Sequence, residues 1–278
     1  MTLPTPGSGE GVTATSTCYR HPGRETYIRC SRCERPICPD CMRDAPVGFQ
    51  CPECVGSGTV RTRTPVGGAV ARRPDAVTLT LIAVNVVAFL LQLASPAFER
   101  RFFGANFLIA VQHEYYRLVT ASFLHVGWWH IALNMYALYL MGPPLERLLG
   151  WWRFLGLYLV SGLAGGVTAY VLTGPGAVVE GASGSIFGLF AAMWVLSRRF
   201  GADTSQITTL IAINFAISFF FAHISWQGHL GGFIGGGLIA LAYAYAPRRS
   251  QALLHAGALV AVAGLAMVAA LLRTAALT

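Results

Sequence analysis

Seven apolar segments occupy most of the chain after residue 76. A helix needs about 20 residues to cross the hydrocarbon core of a membrane. The chain is 54% hydrophobic and only 12% charged, which is outside the usual composition of soluble domains. The sequence therefore predicts an all-α polytopic membrane protein with seven transmembrane helices. Their approximate ranges are 77–94, 127–142, 151–172, 183–200, 206–222, 228–246 and 252–272.

A second feature precedes the apolar segments. All seven cysteines lie between Cys18 and Cys54, and with one histidine they form four pairs, each with a two-residue spacing. Eight such ligands suffice for two tetrahedral zinc sites. About 37 residues bury too little core to fold alone, so two structural zinc ions are expected to stabilise the module. The predicted ligands are Cys18, His21, Cys30, Cys33, Cys38, Cys41, Cys51 and Cys54.

The spacing leaves the pairing of these ligands open. In an alternating arrangement one ion binds Cys18, His21, Cys38 and Cys41, and the other ion binds the remaining four cysteines. In a sequential arrangement, neighbouring pairs share an ion. Either way, the zinc is expected to be structural and to take no part in catalysis.

Composition divides the chain into five parts. Residues 1–17 are rich in Gly, Thr, Ser and Pro and are expected to be disordered. Residues 18–54 form the zinc module, and 55–75 are expected to be a flexible linker. Residues 76–246 hold six transmembrane helices, and 247–278 hold the seventh helix and the C-terminus.

All 20 basic residues are arginine. If the N-terminus is cytoplasmic, ten arginines flank the helices on the inside and four on the outside. This asymmetry follows the positive-inside rule and predicts a cytoplasmic N-terminus. Because the arginines cluster beside the apolar segments, they argue for a lipid bilayer and against a nucleic-acid partner. The Arg-only, Ala- and Gly-rich composition favours a bacterial plasma membrane.

Four polar residues converge in depth in this topology. His130 and Asn134 lie early in the second segment, Ser183 early in the fourth and His229 early in the sixth, and all three segments run from outside to inside. Ionisable groups at membrane depth are costly, so they mark a functional site. A serine hydroxyl needs an adjacent base to act as a nucleophile. We predict a Ser183–His229 dyad, with His130, Asn134 and the Ser183 backbone N–H as donors to an oxyanion.

Small residues explain how these helices could approach each other. Glycines recur at four-residue spacing in the sixth segment and also line the start of the fourth, a pattern that lets membrane helices pack closely. Asn214 and Ser218 in the fifth segment are interpreted as interhelical hydrogen bonders. The glycines concerned are Gly181, Gly184, Gly188, Gly228, Gly232 and Gly236.

Four motifs together resemble the rhomboid family of intramembrane serine proteases. They are Gly181-Ala-Ser183-Gly, His130-Ile-Ala-Leu-Asn134, Gly142-Pro-Pro-Leu-Glu146-Arg-Leu-Leu-Gly150 and Gly228-His229-Leu-Gly-Gly.

The resemblance implies a six-helix core, here with a seventh helix. It also implies that Ser183 is the nucleophile and His229 the base, and that single-pass membrane proteins are the substrates. Phe187 departs from the family, since many bacterial members have a tyrosine beneath the histidine ring. Tyr116-Arg117 stands where the family usually has Trp-Arg. By this resemblance, Arg117 is expected to stabilise the structure of the first outer loop.

Other functions remain open at this stage. The chain could be a catalytically inactive rhomboid that acts as a membrane chaperone or adaptor. It could be a proton or solute transporter in which His130, Asn134 and His229 form a relay. It could also be a zinc-finger adaptor with a membrane anchor. The alternating pairing of the zinc ligands is the favoured one, and it would resemble B-box or RING-like fingers. The module could be purely structural, or it could contact a cytoplasmic protein or present substrate.

Overall fold

A computed structural model of the chain describes residues 16–45, 47–58, 64, 66–68, 75–221 and 224–278. Most of the segment predicted to be disordered, and most of the predicted linker, lies outside the described residues. The chain divides into two units, Met1–Thr62 and Arg63–Thr278, and each is described by itself.

The first unit is built around its cysteines. Strands β1 (Ser16–Cys18) and β2 (His21–Thr26) form one antiparallel hairpin, and β3 (Arg43–Asp44) and β4 (Phe49–Gln50) form another. A short 3₁₀ helix spans Pro39–Cys41, and α1 spans Pro52–Gly58. The buried core consists of six cysteines and Ile37. The ordered module thus extends beyond the predicted 18–54 at both ends, because β1 pairs with β2 and α1 continues past Cys54.

The second unit is helical. Each of the seven predicted transmembrane segments coincides with a helix, and short helices fill the connection after the first one. The long helices are α2 (Ala76–Ala94), α6 (Trp128–Leu149), α7 (Trp151–Leu172), α8 (Ser183–Arg199), α9 (Ser205–Phe220), α10 (Trp226–Tyr245) and α11 (Gln251–Leu277). The short ones are α3 (Pro96–Phe102), α4 (Asn106–Gln112) and α5 (Arg117–Thr120).

Length and apolar composition alone identify three of the described helices as able to cross a membrane, namely α2, α7 and α11. Helix α9 is apolar but shorter. Helix α8 has 17 residues and is largely buried inside the unit. Because α8 and α10 pack mostly against other helices, they face little lipid and can carry glycines and polar groups.

Helices α7, α8 and α10 meet through their backbones at the centre of the unit. A Cβ atom at Gly232 of α10 would overlap the carbonyl oxygen of Gly184 of α8, and one at Gly236 would overlap Gly188. A Cβ at Gly165 of α7 would lie 2.7 Å from the carbonyl oxygen of Gly228. The three helices can be this close only because these positions have no side chain.

Helix α6 ends seven residues beyond the predicted end of its segment at residue 142. It continues through Pro143 and Pro144 to Leu149 and ends at Gly150, whose φ of 79° reverses the chain into α7. Proline is tolerated in membrane helices when neighbouring groups satisfy the freed backbone carbonyls. The extension carries Glu146 to the start of α2.

Glu146 caps α2. Its Oε1 accepts a hydrogen bond from the backbone N–H of Val77 at 2.9 Å, and its Oε2 accepts from the N–H and the hydroxyl of Thr78 at 2.8 Å each. The first N–H groups of a helix have no partner within it and favour a nearby negative charge. Gly142 allows this contact, because a Cβ there would crowd the Thr78 side chain.

The connection between α2 and α6 is organised by Arg117, which is buried. Its Nε donates to Glu114 at 2.6 Å, and its Nη1 donates to the carbonyls of Arg100 and Phe103 at 3.0 and 2.8 Å. The Arg117 hydrogen bond also lowers the pKa of Glu114. One arginine thus ties the end of α3 to α5.

Two segments outside the predicted six-helix core pack against the second unit, namely helix α11 and part of the predicted linker. Helix α11 docks on α7 through Arg153 Nε, which donates to Nδ1 of buried His255 at 2.7 Å, and through Tyr170, whose hydroxyl lies 2.9 Å from that of Thr274. Val66, within the segment predicted to be a flexible linker, is buried in the core of the second unit. Its apolar side chain gains more from burial than from exposure.

We predict that Glu146→Ala lowers the free energy of unfolding by about 2–3 kcal/mol, because it removes charge-assisted hydrogen bonds from buried donors. Glu146→Gln keeps the shape and one acceptor oxygen, so it should lose less. Unfolding of the detergent-solubilised protein by titration with a denaturing detergent measures both variants. Wild-type stability of Glu146→Ala would contradict the capping role.

Candidate active site and metal centres

Helix α8 begins at the candidate nucleophile, Ser183. The first backbone N–H groups of a helix lack intrahelical partners and point away from its N-terminus. They can therefore donate to an anion that forms beside Ser183. The nucleophile and at least one oxyanion donor thus come from the same turn of the chain.

Ser183 lines a cavity of about 940 Å³. The cavity is bounded by the start of α6, the segment before α8, and the facing ends of α9 and α10. Its walls include His130, Glu180, Gly181 and Ser218. Its size is within the range of small-molecule and peptide-side-chain pockets.

His130 and Ser183 meet at Gly181. A Cβ at Gly181 would lie 2.8 Å from Nε2 of His130 and 3.7 Å from Oγ of Ser183, and its φ of 130° is rarely adopted by residues with side chains. The backbone N–H of Val126 donates to Nδ1 of His130 at 3.3 Å, so that nitrogen carries a lone pair. Neutral His130 therefore bears its proton on Nε2, the atom beside Gly181, where it can serve as a donor.

Asn134 is buried one turn after His130, and its side-chain amide donates to the His130 carbonyl at 3.0 Å. It is not part of the cavity wall described above. The structure therefore brings Ser183 and His130 together in the cavity, and it joins Asn134 to the backbone of His130.

His229 lies against α8 rather than in the cavity wall. Its ring stacks on Phe187 with centroids 4.1 Å apart and planes at 14°. Phe187 is four residues after Ser183, so both side chains project from one face of α8. Among the described residues, Ser183 and His229 form no hydrogen bond. Such bonds are frequently long in unliganded enzymes and tighten when substrate binds.

Two residues of this region were not identified as site residues from the sequence. Ser218, interpreted only as an interhelical hydrogen bonder, places its hydroxyl 2.6 Å from Nδ1 of His229. Glu180 lines the cavity, and its carboxylate accepts a hydrogen bond from Gln92 at 3.3 Å. Both residues bond to side chains on other segments of the chain, and no local sequence motif predicts such contacts.

Comparison with known proteins finds rhomboid relatives. Residues 112–246 match the rhomboid domain model. The chain is 40% identical over 148 residues to rhomboid protease GluP of Bacillus subtilis, covering 50% of this chain and 28% of GluP. It is 40% identical over 132 residues to the putative rhomboid protease YdcA of the same species, covering 46% of this chain and 66% of YdcA.

Residues 112–246 are a rhomboid domain. The chain is also 27% identical over 215 residues to rhomboid protease AarA of Providencia stuartii, covering 63% of this chain and 74% of AarA. Together with the apolar helices, the rhomboid domain makes this chain a membrane protein. The predicted rhomboid-like membrane fold is confirmed. The cysteine-rich unit lies outside the residues that match the domain model.

That unit brings its eight candidate ligands into two groups. One contains Cys18, His21, Cys38 and Cys41, and the other contains Cys30, Cys33, Cys51 and Cys54; within each group the ligand atoms lie within 4.8 Å of one another. This is the alternating arrangement, which the sequence left open against the sequential one. Each group takes one pair of ligands from each half of the module.

The distances within the groups suit a tetrahedral ion. Sγ of Cys33 and Sγ of Cys51 are 3.8 Å apart, and two thiolates at about 2.3 Å from zinc are separated by about this distance. Nδ1 of His21 lies 3.3 and 3.4 Å from Sγ of Cys38 and Cys41. The donor set of sulfur and imidazole nitrogen fits zinc.

Backbone amides favour the thiolate form that a metal requires. The N–H of Cys51 donates to Sγ of Cys30 at 3.3 Å. Burial disfavours the Cys30 thiolate, but hydrogen bonds from the amides of Cys51, Arg32 and Cys33 favour it, and the balance lowers the pKa of Cys30 to about 6. Similar amide-to-sulfur bonds are typical of structural zinc sites, where ligands must be deprotonated.

Zinc content should distinguish the two pairings. We predict two zinc ions per wild-type chain and one in Cys18→Ser/Cys38→Ser, because both cysteines belong to one group. In Cys18→Ser/Cys30→Ser, one ligand of each group is lost, so zinc should fall towards zero. Elemental analysis of the purified full-length protein measures this. The reverse ranking of the two double variants would indicate sequential pairing.

Proposed function

We propose that this chain is an intramembrane serine endopeptidase that cleaves transmembrane substrate helices near the outer side of the membrane. The observation that carries the proposal is the arrangement around α8. Its first residue, Ser183, lines a cavity with a donor histidine, and the ring of His229 stacks against the next turn of the same helix face.

The reaction is an acyl transfer. Oγ of Ser183 attacks the scissile carbonyl carbon, and Nε2 of His229 accepts the serine proton. When the tetrahedral intermediate collapses, the C–N bond breaks and His229 donates this proton to the leaving amine. Water, deprotonated by His229, then attacks the acyl carbon, and the C–Oγ ester bond breaks. His229 returns the proton to Oγ of Ser183, and the carboxylic acid product leaves.

The developing oxyanion needs fixed donors, and removal of one such donor costs about 3–4 kcal/mol of barrier. The two donors that we assign are the Ser183 backbone N–H and Nε2–H of His130. Nε2 of His130 and Oγ of Ser183 both lie within 4 Å of the Cβ position at Gly181. Asn134 completes the set by holding the backbone of His130 in place and by offering its amide. The donors are fixed by helix packing before substrate arrives.

The substrates in this proposal are single-pass membrane proteins whose helix unwinds near the outer surface. The arginine asymmetry supports a cytoplasmic N-terminus, so that α6, α8 and α10 begin on the outside and carry the site there. The relatives from Bacillus subtilis and Providencia stuartii and the arginine-only composition support a bacterial plasma membrane. The zinc module would then lie in the cytoplasm, where thiols stay reduced and available to metal.

Two structural zinc ions stabilise the module in this proposal and contribute nothing to peptide hydrolysis. A cytoplasmic protein is the partner that we assign to it. Arg24, Arg29, Arg32, Arg35 and Arg43 are interleaved with acidic residues along the module. Mixed charge of this kind favours a protein partner over a nucleic acid.

We predict that a fluorophosphonate probe labels the wild-type protein at Ser183 and that labelling is lost in Ser183→Ala and in His229→Ala. A serine reacts with this probe only when an adjacent base activates it. Mass spectrometry of the labelled peptide identifies the modified residue.

Ser185→Ala is the matched control, because Ser185 lies two residues further along α8 and is buried. It should label like the wild type. Absence of labelling from a folded wild-type protein would contradict the protease proposal and favour an inactive rhomboid.

A further inference from the structure

We propose that Ser218 is a positioning residue that fixes the protonation pattern and orientation of the His229 ring. The inference rests on the proposed function, because it assigns Ser218 a role in making His229 a base. Ser218 comes from α9, a helix that supplies none of the residues proposed for the dyad or the oxyanion site.

Ser218 is buried and makes two short contacts. Its Oγ lies 2.6 Å from the carbonyl oxygen of Asn214, one turn earlier in α9, and 2.6 Å from Nδ1 of His229 in α10. Both partners are themselves fixed, the first by the helix and the second by the packing of α10. The hydroxyl therefore has little freedom to choose other partners.

The number of hydrogens on each group determines which one donates in the two contacts of Ser218. A serine hydroxyl has one hydrogen and two lone pairs, and a carbonyl oxygen can only accept. The Ser218 hydrogen must therefore go to the Asn214 carbonyl. Nδ1 of His229 must then carry a hydrogen and donate it to Ser218.

The consequence falls on the other ring nitrogen. A neutral imidazole has one N–H, so a proton on Nδ1 leaves Nε2 with a lone pair. A general base needs this lone pair to accept the serine proton. When His229 has accepted that proton, the Ser218 oxygen still accepts from Nδ1–H and stabilises the imidazolium. In serine hydrolases with a triad, a carboxylate performs both tasks.

Phe187 performs a complementary task. Its ring lies 4.1 Å from the His229 ring and nearly parallel to it, which fixes the plane of the imidazole. Stacking alone does not distinguish the two orientations that are related by a 180° rotation about the Cβ–Cγ bond, because both have the same ring plane. The Ser218 contact does, because only one orientation puts Nδ1–H against Oγ. Phe187 has no hydroxyl, so α9 supplies the hydrogen-bonding group.

The test compares inactivation kinetics with a fluorophosphonate probe in the wild type, Ser218→Ala and Ser218→Thr. The maximal rate kinact reports the chemistry at Ser183, and KI reports probe binding. We expect kinact of Ser218→Ala to fall about 10- to 100-fold, less than the 10²–10⁴ that a general base contributes. KI should stay within about twofold, since Ser218 acts through His229. Ser218→Thr keeps the hydroxyl and should recover most of the rate.

Ser161→Ala is the matched control. Ser161 is a buried serine of α7 whose hydroxyl has no hydrogen-bond partner among the described residues. Its replacement removes the same atom from the same kind of environment, and we expect an unchanged kinact. Thermal unfolding of each variant reports whether packing is preserved.

The outcomes separate this inference from the proposed function. If the wild type reacts and Ser218→Ala reacts at the same kinact, the positioning role is wrong and the protease proposal stands. If Ser218→Thr is as slow as Ser218→Ala and both unfold at lower temperature, Ser218 is a packing residue and the inference is wrong. If the folded wild type does not react at all, the proposed function itself is contradicted.

Discussion

The backbone contact between α8 and α10 is the constraint on which the site depends. The two proposed members of the dyad belong to different helices, so their separation is set by how closely those helices pack. Gly184 and Gly188 of α8 face Gly232 and Gly236 of α10 with no side chain between them. Any added atom at this contact would move the His229 ring away from the start of α8. The glycines are therefore as much part of the proposed site as its polar residues.

Polar groups elsewhere in the membrane unit hold the surrounding helices in place. Glu146 of α6 caps α2, Arg117 holds the connection between α2 and α6, and Arg153 joins α7 to α11 through His255. Glu146, Arg117 and Arg153 are buried, and each makes hydrogen bonds that offset the cost of removing it from water. Arg117 also borders the cavity, whereas Glu146, Arg153 and His255 do not line it.

Much of this arrangement could be predicted from sequence because it is encoded locally. Segment length identified the helices, and the two-residue spacings identified the eight candidate metal ligands, which the structure gathers into two groups. Residue spacing also pointed to His130, Ser183 and His229, whose catalytic roles stay predictions. Features that depend on contacts between distant segments could not be predicted. The partner of His229 on α9, the burial of Val66 and the choice between zinc pairings arise only when the chain is folded. The sequence analysis ended α6 too early because two consecutive prolines usually end a helix. Here the helix continues past them, and Glu146 in the added turns bonds to the start of α2.

The most direct test of the central claim compares two glycine-to-alanine substitutions on α10. At Gly232 the new Cβ would overlap the backbone of Gly184, whereas at Gly237 it would lie 3.7 Å from Ala191, an ordinary contact. The rate of fluorophosphonate labelling of Ser183 is measured in both variants under identical conditions. We predict at least a tenfold loss, on the order of 1.4 kcal/mol, for Gly232→Ala and a near-wild-type rate for Gly237→Ala. Equal rates in the two variants would contradict the claim that close packing of α8 and α10 creates the site.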